Sequence, residues 1–423
     1  MYTLGISCYY HDSAAALLQD GKVIAAVEEE RFSRKKFDDD FPKLAINWCL
    51  EEAGITPSQI NSVAFYDKPV LKFERLLDNY IGVAPHGLRS FLDVIPKWLH
   101  KRLWIKNDVY KHLKGFKGEI IFPEHHISHA AHAFYTSPFE EAAILTIDGV
   151  GEWTTASFGI AKNNTVQLTH DIRWPHSLGL FYSAFTYFLG FKVNEGEYKL
   201  MGLSSYGEPK YYDLILNELI DVKEDGSIHL NMKYFAFTHD KVMTNKKFSE
   251  LFGISPRKKE EKAIQIHFDI GASAQKVLEN ILLKMATHIH KKTKMKNLCY
   301  GGGVALNGVA NYRLLKESPF ENIHIPPSPG DAGSAEGPQA RAHRGARRGG
   351  AGDEPRAQRD ARRDVHRHRE RRAVVRPARA HALPPGAIDA ERRVVRQRGV
   401  LARRCVEALA RALAVVLQRA TVQ

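Results

Sequence analysis

Several short stretches carry residue types able to hold a metal ion or to move protons. His125 and His129 stand four apart, so on a helix both imidazoles leave one face and can grip a single divalent cation. With 20 histidines in 423 residues, about one such pair is expected by chance, and His126 and His132 beside it can equally be surface residues. Asp331, in Pro329-Gly330-Asp331, can supply an oxygen ligand opposite the pair. Two histidines and one carboxylate leave positions open for substrate and suit iron or a similar divalent metal. A turn aspartate capping a helix accounts for Asp331 equally well.

Three further stretches point to ligand binding and proton transfer. Asp148-Gly149-Val150-Gly151-Glu152 follows an apolar run and puts a carboxylate and backbone amides at a strand end, which suits phosphate or metal; an ordinary hairpin turn has the same look. Gly301-Gly302-Gly303-Val304-Ala305-Leu306-Asn307 reads as a turn that opens a helix, so backbone and helix-start amides can approach a ligand. It lacks both the Lys-Ser/Thr of a P-loop and the spacing of a dinucleotide fold, which leaves an actin-type nucleotide site or a plain packing turn. Tyr10-His11-Asp12-Ser13 fills the first tight turn, and His11 is a candidate general base beside Asp12. The run Glu28–Lys36 offers Arg31, Arg34, Lys35 and Lys36 to an anion, or forms a solvated face.

The elements that must position these residues show an internal duplication. Thr3–Ser7, Ala14–Leu18 and Val23–Val27 alternate as three antiparallel strands around the Asp20-Gly21 turn. Ala142–Ile147, Thr154–Ile160 and Val166–Leu168 repeat the arrangement, with Asn163 and Asn164 at the second turn. Helical periodicity marks 42–53, 178–189 and 270–285, and short buried strands are expected at 63–66, 120–122, 298–300 and 322–325. This order predicts an α/β chain of two hairpin-started halves, 1–141 and 142–334, facing a shared ligand cleft.

Composition separates this body from the C-terminal stretch. Residues 1–332 hold 39 basic and 39 acidic side chains and all 42 aromatic residues. The last 91 residues hold 22 Arg, 9 acidic residues, and no Lys, Asn, Met or aromatic residue. Residues 335–423 therefore read as an Arg/Ala-rich tail of the kind a slipped reading frame produces, largely disordered over 340–395. An Arg-rich arm neutralising phosphates is the competing reading. The neutral body gives no reason to expect a nucleic-acid partner. Cys8, Cys49, Cys299 and Cys405 lie far apart, no basic leader precedes a long apolar run, and no run approaches the ~20 residues of a membrane span. A reduced, cytoplasmic protein without membrane contact is expected.

Taken together and in order, these motifs resemble the NodU/CmcH-type O-carbamoyltransferases. Leu4-Gly5-Ile6, the Glu-Glu-Glu-Arg-Phe box, Glu124–Ala130, Asp148-Gly149, Glu197–Leu203, the glycine run with Asn307 and Gly330–Gly333 carry the likeness over about residues 1–334. The first domain of that family is similar to the tRNA threonylcarbamoyl transferases of the actin/hexokinase-like, ribonuclease H-like superfamily. The resemblance implies a divalent metal, iron by preference, on His125, His129 and Asp331, touching the phosphates of a bound adenylate. Asp148, Gly149, Gly301, Gly302 and Asn307 would line that nucleotide. Family members form carbamoyl adenylate from carbamoyl phosphate and ATP in a C-terminal domain and pass it to this one, where a hydroxyl of a small-molecule or sugar acceptor attacks, with His11 as the base. No such activating domain is recognisable after Ala335, so the chain is expected to bind nucleotide and metal without making carbamoyl adenylate itself. A kinase or tRNA threonylcarbamoyl transferase on the same scaffold, and a nucleic-acid-binding module built on the tail, remain as alternatives.

Overall fold

The computed structural model describes residues 1–336 apart from 84, 85 and 164; the expectations for the tail lie outside the described residues. Strands β1 (Tyr2–Ser7), β2 (Ala14–Gln19), β3 (Lys22–Glu28), β4 (Ile60–Phe65) and β5 (Glu119–Ile121) form one sheet in the order β3-β2-β1-β4-β5. Strands β6 (Glu141–Ile147), β7 (Thr154–Lys162) and β8 (Thr165–Arg173) join a second sheet. A small hairpin of β9 (Ile220–Val222) and β10 (Ile228–Leu230) stands apart from it. With β11 (Asn297–Gly301) and β12 (Asn322–His324), the second sheet runs β12-β11-β6-β7-β8. In each sheet the first strand is central, antiparallel to the second and parallel to the fourth. The duplication expected from the sequence is therefore present as two copies of one topology.

Local sequence explains the sheets. Asp20 and Gly21 both take positive φ, 48° and 76°, as the mirror-image turn of a two-residue hairpin requires. Successive side chains of a strand face opposite ways, and β1–β4 are buried on both faces. Leu4, Ile6, Ala15, Leu17 and Ala25 pack with Ile46, Cys49 and Leu50 of the helix Lys43–Ala53. The alternate set, Ala14, Ala16, Leu18, Ala26 and Ala64, is mostly alanine, which lets another piece of backbone come close: Ala332 and Ala335, around the closing helix Asp331–Ser334. In the second half, Phe181, Phe185 and Phe188 pack with Ile270, Ala274 and Val277 of the long helix Gln265–Thr293.

Packing does not follow chain order at the boundary near residue 142. The helix His125–Tyr135 precedes that point, yet Ala130, Ala133 and Phe134 pack on Ala142, Ile144 and Cys299 of the second sheet. Asp331–Ser334 follows the second half and packs on the first sheet. Each half therefore delivers one element across the cleft. Three helices between β4 and β5, Pro69–Val83, Leu88–His100 and Ile105–His112, have no counterpart in the sequence reading. The long helix also extends beyond the apolar 270–285, to Gln265 and Thr293, with His267, Asp269 and Ile289 buried outside that span. Cys8, Cys49 and Cys299 are buried, and no described helix is long and apolar enough to cross a membrane.

Candidate active site

The helix His125–Tyr135 sets the site. Its first residue is anchored by Glu152, whose carboxylate accepts hydrogen bonds from the backbone N–H of His125 (3.1 and 3.2 Å) and of Lys68 (2.9 Å). A carboxylate there satisfies an orphan amide and complements the positive end of the helix. Four residues on, His129 meets His125, with the two Nε2 atoms 3.1 Å apart. Asp331 Oδ1 lies 3.4 Å from each Nε2, and Asp148 Oδ2 lies 2.8 Å from His125 Nε2 and 3.6 Å from His129 Nε2. One ligand atom from each of these four residues falls within 4.8 Å of the other three. The structure thus brings together the three residues singled out as a metal set and adds Asp148, whose turn the sequence reading offered to phosphate or metal.

The donors fit a divalent cation. Both histidines are fully buried, and Asp331 is 2% exposed with an Oδ1 that accepts no hydrogen bond. Two imidazole nitrogens aimed at one point beside two carboxylates form a high-density negative pocket in a low-dielectric interior, stable only with positive charge at its centre. In the bare protein that charge comes from protons. Burial lowers the pKa of His129, but the nearby carboxylates of Asp148 and Asp331 outweigh it and raise it to about 9. Burial disfavours the charged forms of Asp148 and Asp331, yet the facing histidines hold both carboxyls below the usual range. Ser334 Oγ contacts His129 Nδ1 at 2.9 Å and fixes that ring from behind, the outer-shell contact typical of histidine ligands.

His126 and His132 are buried, not at the surface as the sequence allowed. Their helix is packed against the second sheet while its start and end touch the first half and the closing segment, so no face is left to solvent. His126 Nδ1 pairs with Thr146 Oγ1 at 2.7 Å, and burial together with charge on His125 and His129 pushes its pKa down to about 3. His132 Nε2 lies 3.0 Å from the Ser328 carbonyl oxygen and therefore donates to it.

His11 reaches the same centre from the first half. Its turn between β1 and β2 is pinned by bonds from the backbone N–H of Tyr9 and Ser13 to the carbonyls of Asp39 and Asp38. His11 Nδ1 pairs with Asp12 Oδ2 at 2.8 Å, and Nε2 points to Asp331 Oδ2 at 3.6 Å. Burial pulls its pKa down, while Asp331, Asp12 and Asp148 together raise it to about 9.

A cavity of about 420 Å³ opens over this cluster, within the range of small-molecule sites. His11, Asp12, Asp148, Gly149, Gly303, Asn307 and Asp331 line it, with Arg31 and Lys36 at its edge. Gly301 and Gly302 do not line it. They are buried behind the wall, where a Cβ on Gly302 (φ 94°) would stand 2.2 Å from the Ile147 carbonyl oxygen, so their smallness serves strand-to-turn packing. The helix after the glycine run also starts later than expected. A short 3-10 turn, Gly303–Leu306, intervenes, and Gly308–Glu317 is capped by Asn307, whose Oδ1 accepts from the N–H of Ala310. The Gly303 N–H is likewise taken, by Asp148 Oδ1 at 3.1 Å, which ties the glycine turn to the cation cluster. In the Glu28–Lys36 run, Glu29 is structural, accepting from the N–H of Leu44 and Ala45, and Lys35 is paired with Asp38.

A family profile described as the carbamoyltransferase N-terminus matches residues 2–340. The chain belongs to the carbamoyltransferase N-terminus family. An uncharacterised protein of Synechocystis sp. is 52% identical over 343 residues, 79% of this chain and 56% of its own length. The nodulation protein NolNO of Sinorhizobium fredii is 32% identical over 334 residues, 78% of this chain and 46% of its own. The chain thus spans about half the length of the curated relatives it matches. Among solved structures, component A of (R)-2-hydroxyglutaryl-CoA dehydratase from Acidaminococcus fermentans aligns at 15% identity and a TM-score of 0.40, covering 81% of this chain and 96% of that one.

Two supporting residues escaped the sequence reading. Glu152 sits in the Asp148–Glu152 motif, so its proximity was a usable signal. Ser334 lies in the Asp331 helix, where a lone serine gives none.

Proposed function

We propose that this chain catalyses carbamoyl transfer from carbamoyl adenylate, a product of carbamoyl phosphate and ATP, to a hydroxyl of a small-molecule or sugar acceptor. The observation that carries the reading is the convergence of Asp331 and Asp148 on the His125–His129 pair at the floor of a cavity that His11 also faces. His125, His129, Asp148 and Asp331 would hold a divalent metal, iron by donor type. Such an ion supplies stabilisation of negative charge on the departing phosphate.

The chain's own residues account for the remaining steps. The Asp148-Gly149 and Gly303–Asn307 turns seat the adenylate. The acceptor oxygen attacks the carbamoyl carbon, the bond from that carbon to the phosphate oxygen breaks, AMP leaves, and the hydroxyl proton passes to His11 Nε2. Asp12 fixes the His11 ring through Nδ1. With a pKa of about 9 in the bare site, His11 is already protonated at neutral pH. It serves as a base only when positive charge offsets Asp331 and Asp148, so the same carboxylates that bind a cation also set the base.

Formation of the adenylate is assigned to chemistry outside residues 1–336. Purified protein supplied with preformed carbamoyl adenylate and a panel of hydroxyl acceptors is expected to release AMP in an acceptor- and metal-dependent manner. With ATP and carbamoyl phosphate instead, turnover is expected to be absent or very weak. Robust turnover from ATP and carbamoyl phosphate would refute the division of labour, and failure to bind adenylate would refute the reading itself.

A further inference from the structure

A second cavity, of about 170 Å³, lies in the first half, enclosed by the helices between β4 and β5. Tyr10 and Val150 line both it and the main cleft, so the two share a wall. Three of the four charged side chains that line it are cationic. Lys72 and Arg75, one turn apart on Pro69–Val83, face it together with Arg102, against the single carboxylate of Asp67. That carboxylate is already used: Lys72 Nζ holds Asp67 Oδ2 at 2.6 Å.

Arg75 is the unusual member. It is 6% exposed, its Nε has no hydrogen-bond partner, and no carboxylate among the described residues forms an ion pair with it. Its described contact is the face of Trp174, 4.9 Å from the guanidinium carbon. The carboxylate whose charge reaches it, Glu152, is committed to the amides of His125 and Lys68. A buried charge with unsatisfied donors costs several kcal/mol unless a partner arrives, so its persistence here implies a partner that comes with a ligand. Guanidinium groups suit carboxylate and phosphate because their planar donors match two oxygens at once.

Distance ties this cavity to the chemistry. Lys72 Nζ lies 5.1 Å from the Tyr66 ring and 5.5 Å from the Tyr10 ring. Tyr66 in turn stands edge-on to His125 with ring centroids 5.5 Å apart, and Tyr10 packs on His11 at 4.7 Å. One aromatic layer therefore separates the cations from the residues at the reacting centre.

We propose that this second cavity binds an anionic group, carboxylate or phosphate, of the acceptor molecule, with Arg75 as its principal partner and Arg102 as a second. The acceptor is then an acidic hydroxyl compound, gripped by its charge on one side of Tyr10 while its hydroxyl faces His11 on the other. The assignment to an acceptor rests on the transfer reading above; the anion site itself does not.

The test is a calorimetric titration of the metal-free full chain with inorganic phosphate and, separately, with malonate, at constant ionic strength. Tryptophan fluorescence follows the same titration through Trp98 and Trp174. One saturable site is expected for at least one anion. It should weaken at least tenfold in Arg75→Met and several-fold in Arg102→Gln, with partial recovery in Arg75→Lys. Preference for phosphate or for malonate assigns a phosphorylated or a carboxylated acceptor. Arg102 is half-exposed, so the Arg102→Gln arm decides the matter even where Arg75→Met fails to fold. No saturable binding of either anion, or unchanged affinity in both variants, overturns the proposal. ADP binding, measured alongside with Mn²⁺, separates the two readings: its loss with anion binding intact sinks the transfer reading and leaves the anion site standing.

Discussion

The two halves share a strand order and differ in what they place at the ends of their central strands. After β1 the first half carries His11 and Asp12, and after β4 it carries Asp67 and the helix Pro69–Val83 with Lys72 and Arg75. After β6 the second half carries Asp148 and Gly149, and after β11 the glycine turn. The first half thus offers an imidazole and positive charge, the second carboxylates and close-packed backbone. A duplicated scaffold yields an asymmetric site because strand pairing fixes where the turns lie and leaves their chemistry free. The exchanged elements deepen the asymmetry, since the histidine helix rests on the second sheet and the Asp331 helix on the first.

The strongest challenge to this comparison is to remove a member of the shared cluster. His129→Ala or Asp331→Asn is expected to weaken divalent-metal binding by more than about 100-fold. Transfer from preformed carbamoyl adenylate should fall on the order of 10³-fold, as several kcal/mol of charge stabilisation is lost. Anaerobic calorimetry with Fe²⁺ and single-turnover AMP release measure the two. A variant that keeps full metal affinity would show that the four side chains are a hydrogen-bonded cluster only.

On the side of the first half, His11→Ala should reduce single-turnover transfer by roughly 10²–10⁴-fold while leaving ADP affinity unchanged. Unchanged turnover removes His11 from the mechanism. On the side of the second half, Gly302→Ala should cost at least about 2 kcal/mol in urea unfolding, from a positive φ and a Cβ driven into the Ile147 carbonyl. Gly82 is the contrast in the first half: it is helical with nothing within 4 Å, so Gly82→Ala should be neutral or slightly stabilising. The smallest functional effect is expected from Ser334→Ala, about a tenfold loss of metal affinity with the fold intact.

The sheets were legible because a two-residue Asp-Gly turn between alternating apolar runs permits few structures, and the pattern recurs. The histidine pair was legible from spacing alone, and Asp331 from its residue type. Asp148 was read as facing phosphate or metal, and its bond to the Gly303 amide was not legible, since a turn carboxylate looks alike whether it faces a cation or an amide. Lys72 and Arg75 left no trace: charged residues three apart on a helix read as a solvated face, and only the packing of Leu88–His100 and the Arg102 turn over them turns that face inward. The glycine run misled in a different way. Its smallness is demanded by Ile147 behind it, and sequence does not reveal on which side of a turn the crowding lies.

The small residues on one face of the first sheet carry a further consequence. Ala14, Ala16, Ala26 and Ala64 form a shallow seat for the segment that bears Asp331, and that segment arrives only after the whole second half has been laid down. Asp331 is therefore the last of the four clustered side chains to be made during synthesis. Until its segment docks, His125, His129 and Asp148 face an open gap, so closure of the cluster is itself a readout of completed assembly between the halves.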